Sequence, residues 1–187
     1  MSAGCIVLAS ASPRRRRLLA EMGVTFEVVV PQVVEVHYLD DLHGSVRENA
    51  ALKCEWCRQR HPKATILAAD TGIEFEGRTI MKPDSREEAA AFLRMFSGHS
   101  HTVMTGVALH VPGREIRLHV ESSWVQFRAL SDEVIEAYIE KVNPLDRAGA
   151  YDINECGEMI VAGHRGSYTN IVGLPVEVVA GWLGVGS

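Results

Sequence analysis

Cysteine is scarce in this sequence, with four residues in a chain of 187. That number is too small for a disulfide framework, so a small disulfide-stapled secreted protein is excluded. No run approaches the roughly 20 apolar residues that a membrane-spanning helix needs. The first residues place their positive charges after the apolar run, the reverse of a secretory signal, so no targeting segment is predicted. We therefore expect a soluble, cytoplasmic protein with no membrane partner.

An excess of basic residues is also absent. The 19 Lys and Arg residues against 24 Asp and Glu residues give a formal charge of −5, whereas general nucleic-acid binding needs a broad basic surface. No nucleic-acid partner is therefore expected. Internal repeats, low-complexity tracts and linkers that would divide the chain are missing as well. Residues 1–187 are thus predicted to form one domain, or two tightly joined lobes without a separable linker.

Strand-like and helix-like segments alternate along the chain. Apolar or β-branched runs predict strands at 5–9, 26–30 and 65–69, with extended chain continuing at 72–76. Capping signals predict helices at 12–22, 45–60, 85–97 and 131–142, and a last helix follows Pro175. Segments 102–111 and 115–127 flank a Pro-Gly pair and predict a long antiparallel hairpin, and the glycines from 149 onwards indicate loops and short strands. Together these predict an α/β protein with a mixed central sheet and flanking helices.

Residues 10–17, SASPRRRR, leave the first strand and open the first helix. Free N–H groups, the helix dipole and guanidinium groups converge there, which suits a phosphate group. Successive helical residues point about 100° apart, so the four arginines do not all face one ligand. Arg14 and Arg15, nearest the helix start, are the candidates. The alternative is a solvated basic helix face.

Asp70 directly follows the apolar strand at 65–69. In α/β proteins ligands bind at the carboxyl ends of strands, and a carboxylate there can hold a divalent metal or take a proton from water. Capping the next turn is the alternative role. Lys82 opens a later loop and could balance phosphate charge, although lone lysines are usually only solvated. The Gly-, Tyr- and Asn-rich segments 148–154 and 166–175 suggest loops that approach a ligand closely, or the turns of an irregular β region.

Two metal-like patterns carry less weight. Cys54 and Cys57 have the spacing of redox or zinc pairs, but they fall inside a predicted helix and no second pair exists. His99 and His101 are placed on one face by strand alternation, but no third ligand is identifiable. We expect no metal or redox role for the cysteines. The histidines are expected to lie at the surface, or one of them to be bonded to backbone.

Taken together, six segments make the sequence resemble the Maf family of nucleoside triphosphate pyrophosphatases. They are LASASPRR at 8–15, AADT at 68–71, KP at 82–83, SGHSHTVMTGVAL at 97–109, RAGAYDIN at 147–154 and GSYTNIVGLP at 166–175. The resemblance runs nearly end to end, in the family's order. It implies an elongated, two-lobed fold of the Maf and ITPase-like kind with a cleft between the lobes. It also implies a hydrolase that cleaves the bond between the α and β phosphates, giving a monophosphate and pyrophosphate, with a divalent metal, Mg²⁺ or Mn²⁺.

The resemblance assigns roles residue by residue. Ser10, Arg14 and Arg15 match the phosphate-binding motif. The expected catalytic residues are Asp70, usually assigned as proton acceptor, with Lys82, Lys53 and Glu35. Asp70 and Glu35 would hold the metal, and the roles of base and metal ligand both stay open for Asp70.

The resemblance also bears on the choice of base. Arg14, Thr71 and Asn154 stand where the dTTP/UTP-type branch carries its specificity residues, with asparagine in place of glutamine. The expected substrates are therefore dTTP, UTP or modified pyrimidine nucleotides. Asp152 and Glu155 depart from the family pattern because glycines are common at both places, and such changes can narrow a pocket or add charge.

Two other functions stay open from the sequence alone. One is a nucleotide-binding regulator of cell division or septum formation, and the other is a housecleaning pyrophosphatase for modified purine nucleotides. Homodimers are common among similar proteins, so a homodimer is one oligomeric state to test.

Overall fold

The computed structural model describes residues 6–185, so the predicted strand residue Cys5 lies outside the described part. These residues form a mixed seven-stranded sheet. Strand β1 (Ile6–Ala9) lies between β2 (Phe26–Val29) and β3 (Thr65–Phe75) and is parallel to both. The other strands are antiparallel to their neighbours: β4 (Arg78–Ile80) pairs with β3, and β5 (Ser100–His110), β6 (Arg117–Phe127) and β7 (Val161–Arg165) continue the sheet beyond β3. The predicted mixed sheet is confirmed.

Helices flank this sheet: α1 (Pro13–Glu21), α2 (Leu42–Arg60), α3 (Arg86–Phe96), α4 (Asp132–Lys141), α5 (Gly157–Ile160), α6 (Tyr168–Val172) and α7 (Val176–Leu183). Helix α1 starts as the sequence predicts, since Ser12 accepts a hydrogen bond from the Arg15 backbone N–H at 3.4 Å. Ser85 caps α3 in the same way, accepting from the Glu88 N–H at 3.1 Å. Within residues 6–185, none of the helices combines the length and apolarity needed to cross a membrane.

Helix α2 begins at Leu42, earlier than the predicted start at Ser45. Asp41 supplies the cap, accepting from the Gly44 N–H at 2.8 Å. The Ser45 hydroxyl instead donates to the Asp41 carbonyl at 3.0 Å and accepts from the Tyr38 N–H at 2.8 Å. The capping-box prediction at Ser45 is therefore wrong, because a loop residue outside the predicted box caps the helix.

Two further segments differ from the sequence prediction. Segments 65–69 and 72–76 belong to one continuous strand, β3, which ends at Phe75. Gly72 fits this strand because a Cβ there would overlap the Leu42 side chain. The glycine-rich stretch contains a 3₁₀ turn (Ala148–Ala150) and the short helices α5 and α6 beside β7, where loops and short strands were predicted.

Hydrophobic side chains of the described residues form three clusters that divide the sheet into two halves. In the first half, α1 and α7 cover one face through Leu19 and Val179, and α2 covers the opposite face through Ala50. In the second half, α3 and α4 pack around Phe96 and Tyr138. Strands β3 and β5 contribute to the clusters of both halves, so the middle of β3 lies at the junction.

Gly106 of β5 allows α2 to lie directly on the sheet. A Cβ at this position would overlap the Val46 carbonyl oxygen of α2, so Gly106→Ala must push the helix away. We expect this substitution to lower the free energy of unfolding by about 2 kcal/mol, measured by urea denaturation. Gly163→Ala is the matched control, because a Cβ there meets nothing within 4 Å. Equal stability of the two variants would contradict the prediction.

Candidate active site

The four consecutive arginines of α1 have different surroundings. Arg14 Nη1 donates to Asp152 Oδ2 at 2.9 Å, and Arg15 reaches the end of β1. Arg16 is exposed, and its side chain makes no hydrogen bond or ion pair within residues 6–185. Arg17 has only a long ion pair of 3.7 Å along its own helix. The structure thus separates Arg14 and Arg15 from the other two, as the helix geometry predicts.

The Arg15 guanidinium is held by three acceptors. Its Nε donates to the Gly173 carbonyl at 2.8 Å, Nη1 to Ser10 Oγ at 3.2 Å and Nη2 to Thr71 Oγ1 at 2.9 Å. Burial lowers the pKa of Arg15, and the negative charge of Asp70 opposes that shift. A guanidinium oriented in this way still has N–H groups left for an anion. Arg15 therefore fits the phosphate-binding role that the sequence predicts.

The Asp70 carboxylate is held by two donors from α2. Its Oδ1 accepts from Lys53 Nζ at 2.7 Å and its Oδ2 from Asn49 Nδ2 at 3.0 Å. Asn49 also binds the loop before α2, donating to the Val36 carbonyl at 3.0 Å and accepting from the Val36 N–H at 2.8 Å. Lys53 Nζ lies 2.7 Å from Glu35 Oε1 as well. One turn of α2 thus joins Asp70 to the loop that carries Glu35.

The register of the sheet explains why Ser10, Asp70 and Thr71 meet. Strand β1 pairs with β3 up to the Ala9–Ala68 pair. The chain leaves β1 at the next residue, Ser10, and on the neighbouring strand Asp70 and Thr71 follow shortly after Ala68. Only β1 ends here, because β3 continues to Phe75, so the site lies beside the carboxyl end of the shorter strand, a common place for ligands in α/β proteins. Thr105 of β5 lies opposite Thr71, and their hydroxyl oxygens are 2.9 Å apart.

Two carboxylates suited to a divalent cation contact the same ammonium group. Asp70 Oδ1 and Glu35 Oε1 are each 2.7 Å from Lys53 Nζ. Among residues 6–185, no group of three or more His, Cys, Asp or Glu could hold a metal by itself. Mg²⁺ commonly takes one or two carboxylates, with water and substrate phosphates completing its shell. The residues present therefore fit Mg²⁺ or Mn²⁺ bound together with a phosphorylated substrate.

Asn154 belongs to a second polar network, which joins Arg14 to α6. Asp152 Oδ1 accepts from the Asn154 backbone N–H at 2.9 Å and from Asn154 Nδ2 at 3.1 Å. The Tyr168 hydroxyl donates to Asn154 Oδ1 at 2.8 Å. Burial acts to raise the pKa of Asp152, but hydrogen bonds from Asn154 and Arg14 and the charges of Arg14 and Arg147 bring it below its usual value. Asp152 is therefore a carboxylate that links two residues predicted to bind substrate.

Lys82 is the predicted site residue that the structure leaves apart. It is exposed and, in the described part of the chain, has no hydrogen bond or ion pair. The preceding carbonyl, of Met81, accepts from the Gly149 N–H at 3.2 Å, which places this loop beside the 3₁₀ turn. A catalytic role for Lys82 stays a prediction.

The predicted surface position is wrong for one of the two histidines. His101 is buried, with its Nε2 2.7 Å from the Tyr151 hydroxyl, and burial lowers its pKa to about 3. Its ring packs against Phe96 at a centroid distance of 4.5 Å. His99 is exposed, and its Nδ1 lies 2.8 Å from the Ser97 carbonyl, as expected for a histidine bonded to backbone. The contact of His101 with Tyr151 and that of His99 with the Ser97 carbonyl both fit structural roles for these histidines.

Cys54 and Cys57 lie fully buried in α2 as free thiols. Burial raises the pKa of Cys54 to about 12 and that of Cys57 to about 11. Because the thiolate is the reactive form, we expect iodoacetamide at pH 8 to modify Cys156, which is partly exposed, and to spare Cys54 and Cys57. Mass spectrometry of the native protein measures this. Labelling of Cys54 or Cys57 before unfolding would contradict the expectation.

Asn49 and Thr105 belong to the site but were not predicted from the sequence. Asn49 lies four residues before Lys53 on α2, and residues with this spacing share one helix face. That spacing is the signal that could have indicated Asn49. Thr105 carries no such signal, because its contact with Thr71 depends on the register between β3 and β5.

Comparison with known proteins concerns the chain as a whole. The model of a family described as Maf-like protein matches residues 5–184. The chain belongs to the Maf family. A Maf relative from Myxococcus xanthus, named dTTP/UTP pyrophosphatase, is 44% identical over 177 residues, covering 94% of this chain and 89% of that protein. A protein of the same name from Moorella thermoacetica is 43% identical over 183 residues, covering 96% of this chain and 94% of that protein.

Among solved structures, this Maf chain is similar to the Ham1 protein of Staphylococcus aureus. The TM-score is 0.55 at 14% sequence identity, over 96% of this chain and 97% of that chain. At such identity the likeness concerns the fold alone. Together with the sheet order and the family match, it confirms the predicted mixed α/β fold of the Maf and ITPase-like kind.

Proposed function

We propose that this Maf protein is a nucleoside triphosphate pyrophosphatase. It hydrolyses the anhydride bond between the α and β phosphates, giving a nucleoside monophosphate and pyrophosphate. The observation that carries this proposal is the Asp70 carboxylate, held by Lys53 and Asn49, next in sequence to Thr71, which binds the Arg15 guanidinium. A fixed carboxylate and a fixed guanidinium beside the carboxyl end of β1 suit the hydrolysis of a phosphate chain.

In the proposed reaction Asp70 acts on water. Because each of its oxygens has a donor, the carboxylate is oriented before substrate arrives and can direct one water molecule and accept its proton. The water oxygen forms a bond to the α phosphorus, and the bond from that phosphorus to the bridging oxygen breaks. Pyrophosphate leaves with the electron pair. Lys53 holds Asp70 in place and offsets part of the negative charge of Asp70 and Glu35.

The phosphate chain needs positive charge and hydrogen-bond donors. Arg15 supplies both beside the buried Ser10 hydroxyl, and Arg14 lies next to it on α1. Lys82, which is exposed, is the proposed further cation for the phosphate chain. Asp70 and Glu35 would hold Mg²⁺ or Mn²⁺, which when bound supplies Lewis-acid neutralisation of phosphoryl oxygens.

The proposed substrates are dTTP and UTP. Two relatives that match more than nine-tenths of this chain carry that name. Arg14, Thr71 and Asn154 are the proposed base-selecting residues, and Asn154 is exposed and so accessible to a ligand. We also propose that residues 1–187 act as one domain, since Asp70 and Thr71 lie on a strand that contributes to the clusters of both halves.

The test is product analysis with purified protein, Mg²⁺ and a panel of dTTP, UTP, CTP, ITP and 7-methyl-GTP. We expect dTMP and UMP with equimolar pyrophosphate. A nucleoside diphosphate with free phosphate would contradict the proposed bond. Hydrolysis of the purine nucleotides alone would favour the housecleaning function. Absence of hydrolysis, with a nucleotide-dependent rise in melting temperature, would favour the binding regulator.

A further inference from the structure

We propose that Asp152 and Tyr168 lock the Asn154 side-chain amide in one orientation, and that this lock lets the protein select uracil and thymine over cytosine. The inference rests on the proposed function, in which Asn154 meets the base. Asp152 binds the NH₂ group of the Asn154 side-chain amide, and Tyr168 binds its oxygen.

The lock follows from the hydrogen-bonding groups of the three side chains. The Asp152 carboxylate only accepts hydrogen bonds, so the Asn154 NH₂ group, 3.1 Å away, must face it. The Tyr168 hydroxyl then donates to the Asn154 amide oxygen at 2.8 Å. A flipped amide would place its oxygen against the carboxylate, with two acceptors in contact and one hydrogen bond lost. One orientation of the amide is therefore strongly favoured.

Asp152 is itself firmly held. Its Oδ2 accepts from Arg14 at 2.9 Å and lies 3.9 Å from Arg147 Nη1, which leaves Oδ1 for Asn154. Its backbone N–H donates to the Tyr138 hydroxyl at 3.0 Å, and that hydroxyl donates to the Asp152 carbonyl at 3.3 Å. Because Asp152 is only 6% exposed, it acts on a nucleotide through Arg14 and Asn154. It is a positioning residue.

The order of donor and acceptor on the amide distinguishes the pyrimidine bases. Uracil and thymine present an N3–H donor beside the O4 acceptor, whereas cytosine presents the N3 acceptor beside the N4 amino donor. An amide that flips freely can pair with either edge. An amide held in one orientation pairs with only one of these two base edges. Against the other edge it places donor against donor and acceptor against acceptor. With dTTP and UTP as substrates, the rejected base is cytosine.

The experiment compares kcat/KM for UTP and CTP in the wild type and in variants. We expect the wild type to prefer UTP and Asp152→Ala to lower the UTP-to-CTP ratio about tenfold, the effect of roughly one hydrogen bond. Tyr168→Phe keeps the ring but removes a hydroxyl that can pair with either end of the amide, so it should lower the ratio much less than Asp152→Ala. Damage to the fold alone would reduce both activities together and leave the ratio unchanged.

Glu155→Gln is the matched control. Its carboxylate binds Arg147 at 3.0 Å but touches neither Arg14 nor Asn154, so removing its charge should leave the ratio as it is. An unchanged ratio in Asp152→Ala, with UTP still hydrolysed, would overturn the inference and leave the proposed function standing. Equal use of UTP and CTP by the wild type would overturn it too. If the wild type hydrolyses no triphosphate, the proposed function fails first. Should Asp152→Ala fail to fold, Asp152→Asn decides by the same ratio, because an amide at position 152 can donate or accept and so permits both orientations of Asn154.

Discussion

Asp70→Asn is expected to lower kcat for dTTP and UTP by about a thousandfold, because an amide cannot accept the proton of the attacking water. The substitution is nearly isosteric. Lys53 keeps Glu35 as an ion-pair partner at 2.7 Å, so its ammonium is not left uncompensated. We therefore expect the free energy of unfolding to change by only about 1 kcal/mol. Pyrophosphate release and urea denaturation measure the two effects separately.

Glu74→Gln is the control for this substitution. Glu74 lies on the same strand and the same face as Asp70, since side chains two and four residues apart share a face. Within the described residues it makes no hydrogen bond or ion pair with the site. Removing the charge of Glu74 should change kcat by less than about twofold. A full rate in Asp70→Asn, or an equal loss in both variants, would exclude Asp70 as the base.

The sequence predicts best those features that depend on neighbours along the chain. The start of α1 follows from Ser12 and Pro13, and the start of α3 follows from Ser85, because a cap acts within one helical turn. The same reasoning fails at α2, where Ser45 has the right neighbours but Asp41 caps the helix. Ser45 instead bonds Tyr38 and Asp41 in the preceding loop, a contact that its local sequence pattern does not specify.

In the candidate site, too, some residues can be predicted from their neighbours along the chain, and others depend on contacts between distant segments. Arg15 could be predicted because it lies in the first turn of the helix that follows β1. The sequence predicts Asp70 at a strand end, whereas it lies inside β3, and only the shorter neighbour β1 ends beside it. The ion pair between Arg14 and Asp152 joins residues 138 positions apart. At the sequence level, Asp152 could be identified only as a departure from the family pattern. Its partners depend on how the loop after the 3₁₀ turn packs against α1, which no local pattern encodes.

Arg15→Ala is expected to lower kcat/KM for dTTP and UTP by about a hundredfold and to lower the melting temperature. The side chain binds Ser10, Thr71 and Gly173, so its removal takes a phosphate ligand from the site and leaves these acceptors without their donor. Arg15→Lys should recover little activity, because an ammonium is a point charge without the planar fork of a guanidinium. Steady-state kinetics and thermal unfolding provide the two measurements.

Arg16→Ala is the matched control for Arg15→Ala, because it removes the same charge from the same helix one residue away. Arg16 is exposed and, in the described chain, its side chain has no hydrogen bond or ion pair. If only the positive charge of α1 attracted the nucleotide, both alanine variants would raise KM to the same extent and salt would abolish the difference from wild type. If the fixed guanidinium of Arg15 binds phosphate, Arg16→Ala stays within about twofold of wild type while Arg15→Ala loses activity at every salt concentration. The second result is expected, because a hydrogen-bonded, half-buried guanidinium acts by its position, whereas an exposed one acts by its charge alone.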